Sequence, residues 1–156
     1  MPSWLTRIMA TGLGTGYAPI WPGTFGTLPA LVLVWFVFGL GIIWQMVATL
    51  VLFGLSVWFA GLAEELPRFG HDARKIVIDE WAGMAVSALV LPHTIGAYLV
   101  AFFAFRLFDV VKLPPAAQCE KLPGGWGVTM DDIAAGVQAN ILTWIIVLVV
   151  GKPLAM

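Results

Sequence analysis

The sequence predicts an all-α membrane protein: a polytopic helical bundle of about five membrane-embedded helices preceded by an N-terminal interfacial segment. Three observations carry this. Hydrophobic residues make up 60% of the 156 and charged residues only 11%, where soluble domains carry about 25% charged residues. Long stretches hold no charge at all, and the charges that exist fall in a few short clusters. The length suits one domain, 1–156. The composition excludes a dispersed, disordered chain, and the single Cys119 excludes a disulfide scaffold. Eight basic against nine acidic residues give a net charge of -1, which argues against a nucleic-acid partner.

The opening MPSWLTRIMA lacks the apolar core of a signal peptide. It reads as a short interfacial helix with Trp4 at the headgroups and Arg7 in water. From Leu28 to Leu62 there are 35 residues without charge. As one helix they would span roughly 50 Å, too long for a hydrocarbon core of about 30 Å. The stretch therefore folds back at Gly39-Leu40-Gly41, giving spans Thr24–Gly39 and Ile42–Leu62.

The next apolar stretch, Trp81 to Phe105, is interrupted at Leu91-Pro92-His93-Thr94-Ile95-Gly96. A single kinked helix competes here with a hairpin of two, Asp79–Leu91 and Ile95–Val111. Charge decides between them. With the hairpin, seven of eight basic residues and all nine acidic ones share a face, and only Lys152 lies opposite. Basic residues in short loops favour the cytoplasmic side, so the prediction is five spans with the N-terminus inside. The last span is Asp132–Val150.

The charged clusters are the candidate chemistry. Asp79-Glu80 opens a helix, where adjacent carboxylates either cap the dipole or form a functional intramembrane pair. Gly83, one turn on, lets another backbone or a ligand approach closely. Arg106, Asp109 and Lys112 recur every three residues along one helix stripe. They suit either an ordinary surface ion pair or two cations holding a phosphate beside a metal ligand. Asp131-Asp132 follows the glycine-rich LPGGWGVTM. Thr129 with Asp132 fits a capping box, while Gly124, Gly125 and Gly127 allow a loop whose N–H groups meet an anion. If these segments share a face, Asp79, Glu80, Asp109, Asp131 and Asp132 converge and repel unless a cation neutralises them. All-oxygen donors suit Mg²⁺ or Mn²⁺. Upstream, TGLGTGYAPIWPGTFGT is no Walker loop. Its amides and threonines, Thr24 and Thr27 among them, can bind phosphate or simply form a turn.

Four landmarks then stand in one order: APIWPGTFGTLPA, KIVIDEWAGM, RLFDVVK and LPGGWGVTMDDIAAG. With them the chain resembles the phosphatidylglycerophosphatase A family of bacterial membrane lipid phosphatases, from Gly14 to about Gly136. The resemblance implies Mg²⁺-dependent hydrolysis of phosphatidylglycerophosphate to phosphatidylglycerol and phosphate at the inner membrane's cytoplasmic face. It puts metal binding on Asp79, Glu80, Asp109, Asp131 and Asp132, and adds Asp72. Catalysis falls to Asp131, Asp132, Arg106 and Lys112, and substrate contact to Thr24, Thr27, Gly125 and Gly127. Two departures stand out: Leu113-Pro114-Pro115 follows Lys112 where the family continues Lys-Pro-x-Pro, and Thr27 stands where serine is common. Neither a Cys-x₅-Arg loop, an Asp-x-Asp-x-[TV] motif nor a paired-histidine phosphatase signature is present. The alternative class is a small ion- or proton-coupled transporter or its subunit, for which intramembrane acids are equally expected. The sequence leaves oligomeric state open.

Overall fold

In a computed structural model, residues 3–67, 69 and 74–150 are described. Asp72 and Lys152 lie outside them. Among the described residues there are seven α-helices and no strand. They are α1 (Ser3–Ala10), α2 (Pro22–Phe38), α3 (Ile42–Glu64), α4 (Ile78–Ala88), α5 (Ile95–Val111), α6 (Ala116–Cys119) and α7 (Gly125–Val150), with a 3₁₀ turn at Thr15–Tyr17.

The charge-free run breaks where the glycines stand. Gly41 has φ +112, a conformation that costs glycine little and other residues a good deal, and α3 starts at the next residue. Helices α3 and α7 are long and apolar enough to cross a membrane, at about 35 and 39 Å. Large side chains on their outer faces point away from the protein: Ile43 is 73% exposed, Leu50 69% and Val149 79%. So much exposed aliphatic surface suits hydrocarbon rather than water.

Helix α4 is the hub. Its 11 residues extend only about 16 Å, and none is exposed. It packs against α2, α3, α5 and α7. The chain then breaks at residues 89–94, where Val90 has φ +62 and its N–H donates to Gln45 Oε1 at 3.0 Å. Thr94 caps α5 by accepting from Ala97 N–H. Helix α5 runs back along α4, so that Arg106 meets Glu80 and Phe105 covers Gly83. The interruption at Pro92 is thus a hairpin between two helices, not a kink within one. Its far end is clasped by side chains. Asn140 Nδ2 donates to Ser87 O and Leu89 O, and the His93 ring stacks on Trp35 at 4.0 Å.

Two expectations need correction. Helix α7 begins at Gly125, not Asp132, and only Gly124 keeps a left-handed φ of +60. Packing outweighs glycine's poor helix propensity here. A Cβ on Gly125 would strike Val57 O and the Gly61 backbone of α3, and the Ser56 and Thr129 hydroxyls share a buried hydrogen bond of 2.7 Å beside that crossing. Thr129 therefore lies inside the helix and forms no capping box. Arg7, expected in water, is half-buried, because α1 packs on α3.

Candidate active site

The charged segments meet at one end of the bundle, around a cavity of about 1110 Å³. Asp79 and Glu80 reach it from the first turn of α4, and Arg106, Asp109 and Lys112 from the end of α5. Asp131 and Asp132 come from α7, and Thr24 from the start of α2. All seven charged residues that the sequence singled out as a set therefore line one space.

Sequence spacing explains the arrangement. Asp79 and Glu80 open α4, where its dipole favours negative charge, yet neither is spent as a side-chain cap. Gly83 and Gly136 bring α4 and α7 together: a Cβ on Gly136 would meet Gly83 O, and one on Gly83 would meet Asp132 O. The close approach anticipated at Gly83 is that of another backbone. It sets Asp131-Asp132 beside Asp79-Glu80.

Two cations divide most of the acids between them. Arg106 Nη1 lies 3.3 Å from Glu80 Oε1 and 2.9 Å from Asp109 Oδ2. Lys112 Nζ donates to Asp131 Oδ2 at 2.8 Å and pairs with Glu120 Oε1 at 3.2 Å. Asp131 Oδ1 also accepts from Asp132 N–H at 3.0 Å. The sequence pattern had not drawn in Glu120. Its spacing of eight from Lys112 crosses the loop and α6, so no helical periodicity pointed to it.

Two carboxylate oxygens are left over. Asp79 Oδ1 and Asp132 Oδ2 are buried without any hydrogen-bond partner, and Asp132 feels the charges of Asp109, Asp79, Asp131 and Glu80. Buried carboxylates in this state call for a cation, and hard oxygen donors fit Mg²⁺. Among the described residues, however, no three acid, histidine or cysteine side chains stand ready as a ligand set. Of the five carboxylates expected to converge on a metal, Glu80, Asp109 and Asp131 are held in ion pairs by Arg106 and Lys112. Asp79 and Asp132 are the two of the five that form no ion pair among the described residues.

The substrate-contact expectations divide. Thr24 lines the cavity and is half-buried. Thr27 does not, since it is fully buried. Its Oγ1 lies 2.9 Å from Glu80 Oε2 and 2.8 Å from Gly23 O, and it accepts from Arg106 Nη1 at 3.4 Å. Thr27 therefore holds Glu80 and Arg106 in place. Gly125 and Gly127 are buried away from the cavity, against α3 and against the Glu120 and Leu122 carbonyls. Gly23 was overlooked: a Cβ there would collide with Glu80 and Arg106, and only its place in PGTFG hints at this. The cavity's flank is apolar, with Phe102, Phe103 and Val110 of α5. Phe103 is 66% and Val110 74% exposed to the outside.

The family model for phosphatidylglycerophosphatase A matches residues 8–147. A Bacteroides thetaiotaomicron protein, provisionally named a phosphatidylinositol-3-phosphatase, is 36% identical over 90% of this chain and 92% of its own. The phosphatidylglycerophosphatase A of Escherichia coli is 34% identical over 89% of this chain and 82% of its own. That of Haemophilus influenzae is 32% identical, covering 90% and 87%. No solved structure matches the chain. A match across nearly the whole length, including all four landmarks and the acids around the cavity, makes this chain a member of the phosphatidylglycerophosphatase A family of phosphatases.

Proposed function

We propose that the protein hydrolyses the terminal phosphomonoester of phosphatidylglycerophosphate, in a Mg²⁺-dependent reaction that yields phosphatidylglycerol and phosphate. It acts as a multi-pass protein of a bacterial inner membrane, with its cavity on the cytoplasmic face. The family carries the reaction type, and two relatives carry the substrate's name. The observation that carries the site is the buried pair of unpartnered carboxylate oxygens, on Asp79 and Asp132, beside Arg106 and Lys112.

Asp79 and Asp132 would hold the ion, which when bound supplies Lewis-acid charge at the phosphoryl group. Arg106 and Lys112 neutralise the phosphoryl oxygens. Asp131, fixed by Lys112 and by the Asp132 amide, orients the attacking water and takes its proton. The water oxygen bonds to phosphorus, the bond from phosphorus to the glycerol oxygen breaks, and that oxygen picks up a proton from solvent. Glu80 and Asp109 keep Arg106 aimed into the cavity. The same reading supports membrane helices for α2 and α5, whose exposed large side chains are apolar like those of α3 and α7.

The test is phosphate release by the purified full-length protein in uncharged detergent. Release from phosphatidylglycerophosphate with Mg²⁺, abolished by EDTA and restored by Mg²⁺, is the expected result. A folded preparation inactive with metal sinks the proposal. Faster release from phosphatidylinositol 3-phosphate would move the substrate to the lipid in the Bacteroides relative's name.

A further inference from the structure

The cavity has a second lip of opposite charge. Arg74 and Lys75 are exposed and line its mouth, and no ion pair among the described residues involves them. The backbone from Lys75 to Val77 is clamped to the N-terminal segment. Val77 N–H donates to Ala10 O at 2.9 Å, and Gly16 packs so tightly on Lys75 that a Cβ would strike its carbonyl. The Lys75 ammonium stands 5.9 Å from the centre of the Tyr17 ring, within cation–π range. Tyr17 also lines the mouth.

The inner cations are in a different condition, since Arg106 and Lys112 are each already paired with two carboxylates. Five acids against these two cations leave the inner wall formally negative. A negatively charged headgroup approaching that wall needs compensation further out, and among the described residues the basic ones lining this cavity besides Arg106 and Lys112 are Arg74 and Lys75. Phosphatidylglycerophosphate has two phosphates on one glycerol: a monoester that is cleaved and a diester that is kept.

We propose that Arg74 and Lys75 form a specificity subsite for the phosphodiester, selecting headgroups that carry a second phosphate beside the scissile one. The proposal rests on the lipid phosphomonoesterase reading above. The subsite binds the group retained in the product, so its contribution falls on substrate selection and not on bond cleavage.

Phosphatidate tests it, because it has a phosphomonoester and no phosphodiester. Short-chain phosphatidylglycerophosphate and phosphatidate are compared in uncharged detergent micelles, with full-length wild type and the double variant Arg74→Gln/Lys75→Gln. The wild type should prefer the two-phosphate lipid. In the variant the ratio of the two kcat/KM values should fall about 10- to 100-fold, the range for charge-assisted hydrogen bonds, through KM for phosphatidylglycerophosphate. Arg74→Lys/Lys75→Arg should retain most of the preference. A ratio unchanged in the Gln variant overturns the subsite. So does an equal rise in KM for both lipids, the sign of general attraction to anionic surfaces. A wild type active on both lipids without preference refutes the subsite while leaving the phosphatase reading intact. Inactivity on every lipid phosphomonoester refutes both.

Discussion

Removing one methyl-sized polar atom should disable this site from beneath. Thr27→Val keeps the shape of a fully buried side chain but deletes the hydroxyl 2.9 Å from Glu80 Oε2 and 3.4 Å from Arg106 Nη1. The hydroxyl has one proton. Of its two acceptors, Gly23 O and Glu80, the carboxylate makes the stronger bond when ionised. A hydrogen bond to a charged group contributes about 1.5–3 kcal/mol, and here the carboxylate cannot recover it from water. Thr27→Val should therefore destabilise the protein by about that amount, visible as a lower Tm in detergent. The surviving folded enzyme should also lose activity, because Glu80 no longer holds Arg106 in place. A loss of about tenfold in kcat corresponds to roughly 1.4 kcal/mol of transition-state stabilisation, with KM nearly unchanged. Thr27→Ser restores the hydroxyl and should restore kcat. The reasoning is refuted if Thr27→Val turns over like wild type, or if Thr27→Ser is as impaired as Thr27→Val.

Other expectations follow from the same geometry. Asp131→Asn should abolish phosphate release while the protein still inserts and purifies; near-normal turnover would remove Asp131 from the reaction. Gly125→Ala should lower thermal stability by about 1–3 kcal/mol through overpacking against α3 yet leave KM unaltered. A raised KM would return Gly125 to the substrate. Gly136→Ala should be more damaging, since its new methyl meets the Gly83 carbonyl at the crossing that aligns the acids; wild-type kcat in that variant would show that the crossing does not set the site. In a Cys119→Ser background, Ile95→Cys and Gln118→Cys should label from opposite sides of the membrane, and labelling from one side would break the hairpin topology.

The sequence made the helices legible because their boundaries are set by local chemistry. Charge-free runs, Gly41 and the Pro92 interruption mark breaks that the fold keeps. The five acids were legible too, since a charge in an otherwise apolar chain needs a reason. What could not be read was the job of each small residue. Gly125 and Gly127 look like loop glycines in one dimension, and their role depends on where Gly61 and the Glu120 and Leu122 carbonyls lie in three. Thr27 looked like a phosphate contact because its hydroxyl was known and its direction was not. Five nearby carboxylates suggested five ligands, and spacing did not show that three of them also pair with Arg106 and Lys112. Pairing of that kind has no signature in spacing.

The open apolar flank of the cavity, formed by Phe102, Phe103 and Val110, bears on how the enzyme meets its substrate. A lipid whose chains slide along that flank need never leave its leaflet to present its headgroup. Encounter is then a two-dimensional search, and the quantity that sets the rate is the mole fraction of substrate in the surface, not its concentration in the volume. Diluting the substrate with inert lipid at constant bulk amount should slow the enzyme, and adding buffer should not. On the proposed function, the membrane would be both the protein's solvent and its substrate reservoir.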